Sequence, residues 1–164
     1  NSTDFLAAAE APFVWRCDCE AAGGGAVGDL AVHLLSLTQF LIGDVAELFG
    51  RLEMVVKERR VIEGATLGKE MQVSGPVKMR AVDNDDVAHA LLRFENRCLG
   101  ILEVGCVHHG RKLEFTYDII GTKGSVKWDY DRMNELQMCA GADLAHGRGV
   151  RRIELGPADP TYGL

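Results

Sequence analysis

Hydrophobic residues recur at three- and four-residue steps in the first third of the chain, which is typical of one face of an α-helix. The residues with this spacing are Val27, Leu30, Leu34, Leu37 and Leu41. Their apolar arc is wide, so we expect a helix over 26–41 that is largely buried. Gly43 is placed as its C-cap, and Gly23-Gly24-Gly25 before it breaks any regular element.

From residue 45 onward the period of the hydrophobic positions changes to two, which is the spacing of a half-buried β-strand. Residues 86–94 and 98–107 alternate on either side of the turn 95–97, and they are predicted to form a hairpin. The polar stretch 58–84, which glycines interrupt, is predicted to be a loop or a long excursion, and the Gly/Ala-rich stretch 140–149 is predicted to be a loop. The other predicted strands are an irregular one near 13–15 and regular ones at 45–57, 113–120, 125–128, 135–139 and 150–155.

One buried helix followed by strands joined as hairpins predicts an α+β fold with an open, mostly antiparallel sheet. The helix covers part of one sheet face, since such a sheet needs its apolar face packed. The opposite face carries an excess of apolar residues, namely Val87, Leu91, Leu99 and Ile101. That excess predicts a second sheet or a partner subunit on this face.

The composition is that of a globular domain and excludes several classes of protein. With 47% hydrophobic and 26% charged residues, the 164-residue chain is not disordered, and we expect one domain over 1–164. A net charge of −6 with scattered charges argues against a nucleic-acid partner. The apolar stretch 27–42 contains Asp29 and His33 and is shorter than the ~20 residues that span a bilayer, so no membrane contact is expected.

The cysteines and histidines predict no metal site. Five cysteines without C-x-x-C spacing indicate reduced thiols in a cytoplasmic protein. Cys17-x-Cys19 is too close for an easy disulfide or a zinc half-site. His108 and His109 follow Cys106, but adjacent side chains at a strand end point to opposite faces. The charge runs 57–60 and 148–152 are interpreted as solvated faces beside strands.

Asp29 and His33 interrupt the apolar stripe of the predicted helix and, four residues apart, share one of its faces. A carboxylate beside an imidazole can orient it and tune it for proton transfer. In the alternative interpretation, Asp29 supports the positive end of the helix dipole and His33 is a core histidine with its hydrogen bonds satisfied. The residues alone leave both interpretations open.

Several segments resemble, in order along the chain, the C-terminal domain of the Gfo/Idh/MocA oxidoreductases, a family named in part for glucose–fructose oxidoreductase and inositol dehydrogenase. The central match is 22–37, where a glycine run is followed by Asp29, His33 and an apolar tail. Ala31 departs from the family, which has a small glycine-like residue there. The other matching segments are Trp15-Arg16, Asp85-Asp86, 93–100, Gly110-Arg111-Lys112, 121–125 and 134–136.

The resemblance implies a fold like the C-terminal domain of glyceraldehyde-3-phosphate dehydrogenase, with the second sheet face in a homodimer or homotetramer interface. The chain then lacks an N-terminal Rossmann domain, which binds most of the NAD or NADP, and a C-terminal tail. The His33 position transfers the proton of the hydroxyl being oxidised, and the Asp29 position binds or supports substrate. Arg16, His109 and Arg111 are weaker substrate-binding candidates, and each arginine is equally expected to be a structural ion-pair residue.

The implied activity is the NAD(P)-dependent oxidation of a hydroxyl group on a sugar, an inositol or a related polyol. No G-x-G-x-x-G follows a strand in this sequence, so the cofactor-binding residues are expected elsewhere and the isolated chain is expected to be inactive. The alternative function is a dimerisation or sugar-binding scaffold that keeps the fold without the chemistry.

Overall fold

A computed structural model of the chain describes residues 1–65 and 76–158. Their contacts divide the chain into two compact units, Asn1–Lys112 and Leu113–Leu164, which are described separately. Both units are built on antiparallel strand ladders, and the first also contains a helix of three turns. The predicted α+β class with mostly antiparallel sheets is therefore confirmed.

The strands of the first unit form two sheets. β1 (Val45–Glu53), β4 (Val87–Phe94) and β5 (Leu99–Gly105) pair in the order β1-β4-β5, which confirms the hairpin predicted around residues 95–97. β2 (Glu58–Arg60) pairs with β3 (Met79–Ala81), so of the two alternatives for 58–84 the uninterrupted loop is wrong at both ends. Three-residue strands are too short to show alternation. Residues 66–75 lie outside the described part of the chain.

Alternating residues of β4 and β5 form the core of the first unit. Ala88, Leu92 and Phe94 of β4 are buried together with Leu102 and Val104 of β5, as the period of two predicts. The side chains between them on β4 and β5 point to the other face, which includes large exposed apolar residues. The two faces of this sheet therefore differ sharply in their burial.

The predicted helix is present, and it begins with a wider turn. Residues Val27–Ala31 form a π-helical turn, and α2 continues from it over Val32–Ile42. The N–H group of Gly43 donates to the Gln39 carbonyl with a φ of 119°, which confirms the predicted C-cap. Two short elements precede the helix, namely a 3₁₀ turn, Trp15–Cys17, and the helix α1, Cys19–Ala22. Trp15 is therefore not in the irregular strand predicted near 13–15.

The helix is less buried than the width of its apolar arc predicts. Leu30, Ala31 and Leu34 are buried, and the π-helical turn packs on β5. On the outer side Phe40 is 84% exposed, and Val32 is half exposed. Periodicity indicates which helix residues are apolar, but it does not indicate how many of them find a partner within the same unit.

The stretch Cys19–Ile42 is by length and composition long and apolar enough to cross a membrane. It exceeds the predicted apolar stretch 27–42 because α1 is added to its length. A core helix of a globular protein meets the same criterion. In this structure the left-handed Gly23 separates α1 from the following turn, and Leu30 and Leu34 are buried inside the first unit. Packing within the unit therefore accounts for the apolar side chains at these two positions.

Arg59 is fully buried, which contradicts the prediction that 57–60 is a solvated charge run. Its guanidinium donates hydrogen bonds to three backbone carbonyls of the N-terminal segment, those of Leu6 (2.8 Å), Ala8 (3.2 Å) and Ala11 (3.5 Å). A buried charge needs such compensation because desolvation disfavours it. The arginine thereby fastens the N-terminal segment to β2.

Asp85 caps the beginning of the helix from a distant part of the sequence. Its carboxylate accepts hydrogen bonds from the N–H groups of Gly25 (3.0 Å) and Val27 (2.9 Å), and its carbonyl accepts one from Ala26 (3.0 Å). The first N–H groups of a helix have no partner within the helix, so an acceptor must come from elsewhere. Here the loop before β4 supplies it.

The second unit is a meander of four antiparallel strands, β6 (Thr116–Gly121), β7 (Gly124–Asp129), β8 (Glu135–Ala140) and β9 (Arg151–Glu154). The short helix α3, Gly141–Ala145, lies in the predicted loop 140–149, so that prediction is wrong there. The Asp143 carboxylate accepts a hydrogen bond from the Ala140 N–H group (3.0 Å), which lowers its pKa, and it pairs with Arg151 (3.3 Å).

Replacement of Gly25 tests how closely Asp85 approaches the helix. A Cβ atom at Gly25 would lie 2.0 Å from the Asp85 carbonyl oxygen, so we expect Gly25→Ala to lower the free energy of unfolding by about 2 kcal/mol or more. A Cβ atom at Gly28 meets nothing within 4 Å, so Gly28→Ala is expected to leave stability unchanged or to raise it by up to about 1 kcal/mol. Urea denaturation measures both, and equal midpoints for the two variants would contradict the structure.

The cysteines offer a second test, because their thiols differ in burial. Cys19 and Cys98 are exposed, whereas Cys17, Cys106 and Cys139 are buried. Burial raises the pKa of Cys106 to about 12, so almost none of its reactive thiolate exists near neutral pH. We expect a thiol reagent at pH 8 to label only Cys19 and Cys98 in the folded protein, and all of the cysteines in denaturant. Peptide mass spectrometry measures the labelling, and rapid labelling of Cys106 would refute the described core.

Candidate functional site

The candidate site lies at the first two turns of the helix, where Asp29 and His33 occur. Asp29 belongs to the π-helical turn, a wider form of helix that is frequent at functional sites. His33 follows in the first turn of α2 and is exposed to solvent. The Asp29 side chain is 36% exposed, so a molecule in solution has access to both groups.

The Asp29 carboxylate forms an ion pair with Arg16, whose Nε atom lies 2.9 Å from Oδ2. In the part of the chain that the structure describes, the partner of this carboxylate is therefore Arg16. The spacing of four had suggested His33 instead. The ion pair, one of the two interpretations given for Arg16, is present. Neither group is fully buried, so the pair keeps contact with solvent.

Arg16 has three further contacts, two through its side chain and one through its backbone. Its guanidinium lies over the ring of Trp15, 4.3 Å from the centroid, and 5.7 Å from the centroid of Phe5. These are cation–π distances. The side-chain amide of Asn84 donates a hydrogen bond to the Arg16 carbonyl oxygen (3.0 Å). The position of Asp29 thus depends on a neighbour that is itself fixed by two aromatic rings and a buried asparagine.

His109 and Arg111 lie in the turn that follows β5, and both are exposed. Gly110 between them has a φ of 81°, and the Arg111 N–H group donates to the His108 carbonyl oxygen (3.1 Å). The His108 ring is turned inward to Ser2, with Nδ1 2.8 Å from Oγ. A narrow cavity beside the helix is lined by Arg16 and Asp29 but by neither His109 nor Arg111. The structure therefore groups Arg16 with Asp29 and leaves the other two substrate-binding candidates apart from that cavity.

In the loop 83–86, two residues contact the segments of the site, and the motif match had indicated only Asp85 of these two. Asn84 holds Arg16, and Asp85 holds the beginning of the helix. Asp83 and Asp86 accept hydrogen bonds from other segments, the first from the N–H group of Cys19 (2.7 Å) and the second from Val55 (2.8 Å). Four consecutive polar residues immediately before a strand are the signal that could have identified this loop.

The described residues do not form a dinucleotide-binding cradle. In such cradles a glycine-rich turn follows a parallel strand, and the cofactor pyrophosphate lies at the N-terminus of the next helix. Here Gly23-Gly24-Gly25 follows α1, and the Asp85 carboxylate already occupies the helix N-terminus. Among the described residues, no three His, Cys, Asp or Glu side chains are grouped to hold a metal ion.

Comparison with known proteins relates this arrangement to an enzyme family. The GFO/IDH/MocA C-terminal domain matches residues 2–127. Levoglucosan dehydrogenase of Pseudarthrobacter phenanthrenivorans is 35% identical over 162 residues, which are 98% of this chain and 41% of that protein. The chain thus spans about two-fifths of the length of this relative.

Solved structures show the same relationship. A levoglucosan dehydrogenase in complex with NADH and levoglucosan has a TM-score of 0.81 at 32% identity, covering 97% of this chain and 39% of that one. An oxidoreductase domain protein from Kribbella flavida has a TM-score of 0.84 at 37% identity, over 97% of this chain and 40% of that one. The motif at Asp29 and His33, the α+β fold and the family match lead to one conclusion: this chain belongs to the GFO/IDH/MocA family of oxidoreductases, as its C-terminal domain.

Proposed function

We propose that this chain is the substrate-binding and catalytic-base domain of an NAD(P)-dependent oxidoreductase that oxidises a hydroxyl group of a sugar, an inositol or a related polyol. The observation that carries the proposal is the exposed His33 one turn after the Arg16–Asp29 ion pair. The relatives support it, since levoglucosan dehydrogenase has been solved in complex with NADH and levoglucosan and with NADH and L-sorbose. A role in carbohydrate metabolism in the cytoplasm follows from this proposal.

His33 acts as the general base in this proposal. A neutral imidazole accepts a proton well near neutral pH, provided that it reaches the hydroxyl group. His33 is exposed on the outer side of the helix, so a substrate oxygen has access to it without rearrangement of the core. The helix is anchored at both ends, by Asp85 and by the Gly43 cap, and the ring therefore stands on a fixed support.

Arg16 and Asp29 bind substrate hydroxyl groups in this proposal. The ion pair uses Nε of Arg16 and Oδ2 of Asp29, and a guanidinium carries four further N–H groups. Donors beside a carboxylate match the hydroxyl groups of a sugar, each of which both donates and accepts. His109 and Arg111, on the exposed turn after β5, are proposed as further substrate contacts.

The cofactor is NAD or NADP, bound mainly by an N-terminal domain outside this chain, where it accepts the hydride. Two features of the described residues support this division: the antiparallel ladders and the Asp85 carboxylate at the helix N-terminus. In this proposal, residues 1–164 act as one domain for substrate binding and oligomerisation. We therefore expect the isolated chain to be inactive. The choice between the two cofactors is made in that other domain.

The role of His33 is tested by His33→Ala in the full-length protein. With levoglucosan or L-sorbose as substrate, we expect the turnover number to fall by about a hundredfold or more, which is the scale of general-base catalysis. His146, exposed after α3, gives a matched control, since His146→Ala removes an exposed imidazole from the second unit. Steady-state kinetics measures both variants, and an unchanged turnover number for His33→Ala would remove the assigned role.

A second candidate function, a self-associating scaffold, is favoured by the outer face of the β1-β4-β5 sheet. Phe49, Leu91 and Ile101 are aligned across the three strands, and they are 78%, 58% and 84% exposed. Exposed apolar rows are typical of surfaces that pack against another protein, which supports this candidate. Charges of both signs flank it, with Arg93 paired to Glu47 on one side. A surface with both signs suits a second copy related by a two-fold axis.

We therefore propose that this face forms a homodimer contact, within a dimer or a tetramer, whether or not the chemistry is retained. Ile101→Lys is expected to reduce the molar mass in solution, because it places a charge at the β5 end of the apolar row that the proposed contact would bury. Ile120→Lys is the control, since Ile120 is 80% exposed on the sheet of the second unit. Light scattering after size exclusion measures the mass, and a wild-type monomer would refute the contact.

A further inference from the structure

We propose that Asp85 is a positioning residue for the site on the helix. Its carboxylate fixes the first turn of the segment that carries Asp29 and His33, and so determines where these two groups lie. This role rests on the proposed function, and it adds a residue that supports the site from outside the group of substrate-binding residues. Asp85 does not itself meet the substrate in this proposal.

Three consecutive backbone N–H groups are held by this one residue. Gly25 and Val27 donate to the two carboxylate oxygens (3.0 and 2.9 Å), and Ala26 donates to the carbonyl oxygen (3.0 Å). Asp29 follows two residues after the last of these donors. A shift of the Asp85 carboxylate is therefore transmitted to the π-helical turn with little intervening chain.

The contact leaves little space for adjustment. A Cβ atom on Gly25 would lie 2.0 Å from the Asp85 carbonyl oxygen and 2.8 Å from Oδ1, so only glycine fits without displacement. Gly25 and Ala26 are both buried. A tightly packed contact transmits displacement instead of absorbing it.

The neighbouring residue serves the same site from the other side. Asn84, which is buried, donates to the carbonyl oxygen of Arg16 (3.0 Å), and Arg16 is the partner of Asp29. Residues 84 and 85 thus hold the two segments that meet in the ion pair. A loop that binds both partners determines their relative position more strongly than the ion pair alone, because an ion pair in contact with solvent contributes little.

The carboxylate is suited to this task by its charge and its two acceptor oxygens. The helix N-terminus has a partial positive charge, so an ionised aspartate is stabilised there. Asn at position 85 would keep the volume but replace one acceptor by an N–H₂ group, which would then face a backbone N–H group. Asp85→Asn therefore disturbs the position of the turn without opening a cavity.

The test compares Asp85→Asn with a control from the same loop in the full-length protein. A misplacement of about 1 Å costs on the order of a hundredfold in rate, so we expect the kcat for levoglucosan or L-sorbose to fall at least about tenfold while KM changes less. Asp83→Asn alters a carboxylate that accepts from the Cys19 N–H group at the start of α1, outside the helix that carries Asp29 and His33. We expect its kcat to stay within about twofold of the wild-type value, the scatter of independent surface changes. Equal losses for the two variants would overturn the proposal.

A double variant separates positioning from general loss of structure. If Asp85 acts through His33, Asp85→Asn adds little to the loss already caused by His33→Ala, since groups acting as a unit are not additive. A merely structural role would lower kcat by the same factor in both backgrounds, and that result would refute positioning.

Hydrogen exchange provides a readout that does not depend on activity. We expect the amides of residues 25–29 to exchange faster in Asp85→Asn and at the wild-type rate in Asp83→Asn, because only the first variant loses a hydrogen bond to this turn. Unchanged exchange in Asp85→Asn would overturn the proposal even in an active enzyme. If the wild-type protein oxidised no carbohydrate, the proposed function would fail, and the exchange rates would still decide whether Asp85 holds the helix.

Discussion

The hydrogen bonds between Asp85 and the residues before Asp29 are the contact on which the arrangement of the first unit depends. They join the loop that leads into β4 to the beginning of the helix, and the neighbouring Asn84 holds the 3₁₀ turn that carries Arg16. Without an external acceptor, the first N–H groups of the helix would be unsatisfied in a partly buried place. The ion pair, the helix and the central strand are therefore one connected structure.

The same contact explains why the glycine run is not a phosphate site in this chain. A glycine-rich segment before a helix favours anions because its N–H groups are accessible and the helix dipole is positive there. Here the anion is a side chain of the protein itself. The backbone approaches Asp85 so closely that Gly25 has no room for a side chain, so glycine serves packing at this point.

Sequence patterns predicted the long elements and missed the features that depend on distant partners. The helix α2 is 11 residues long and the two strands of the β4–β5 hairpin are 8 and 7 residues long, and both elements are present. The burial of Arg59 was not predictable, because it depends on carbonyl groups some fifty residues away, as at Ala8. The partner of Asp29 was missed for a similar reason: a spacing of four favours His33, whereas Arg16 precedes Asp29 on another element. The roles of Asp29 and His33 stay predictions.

The cap of the helix joins residues that are 60 positions apart along the chain. Contacts of such separation close a long loop, and the entropy of that closure must be overcome before the contact stabilises anything. The turn that carries Asp29 is therefore completed only after the loop before β4 has been made and has folded back. During synthesis, a ribosome-bound chain ending before residue 85 holds every residue of the helix and lacks the acceptor for its first turn, so this site is among the later parts of the unit to form.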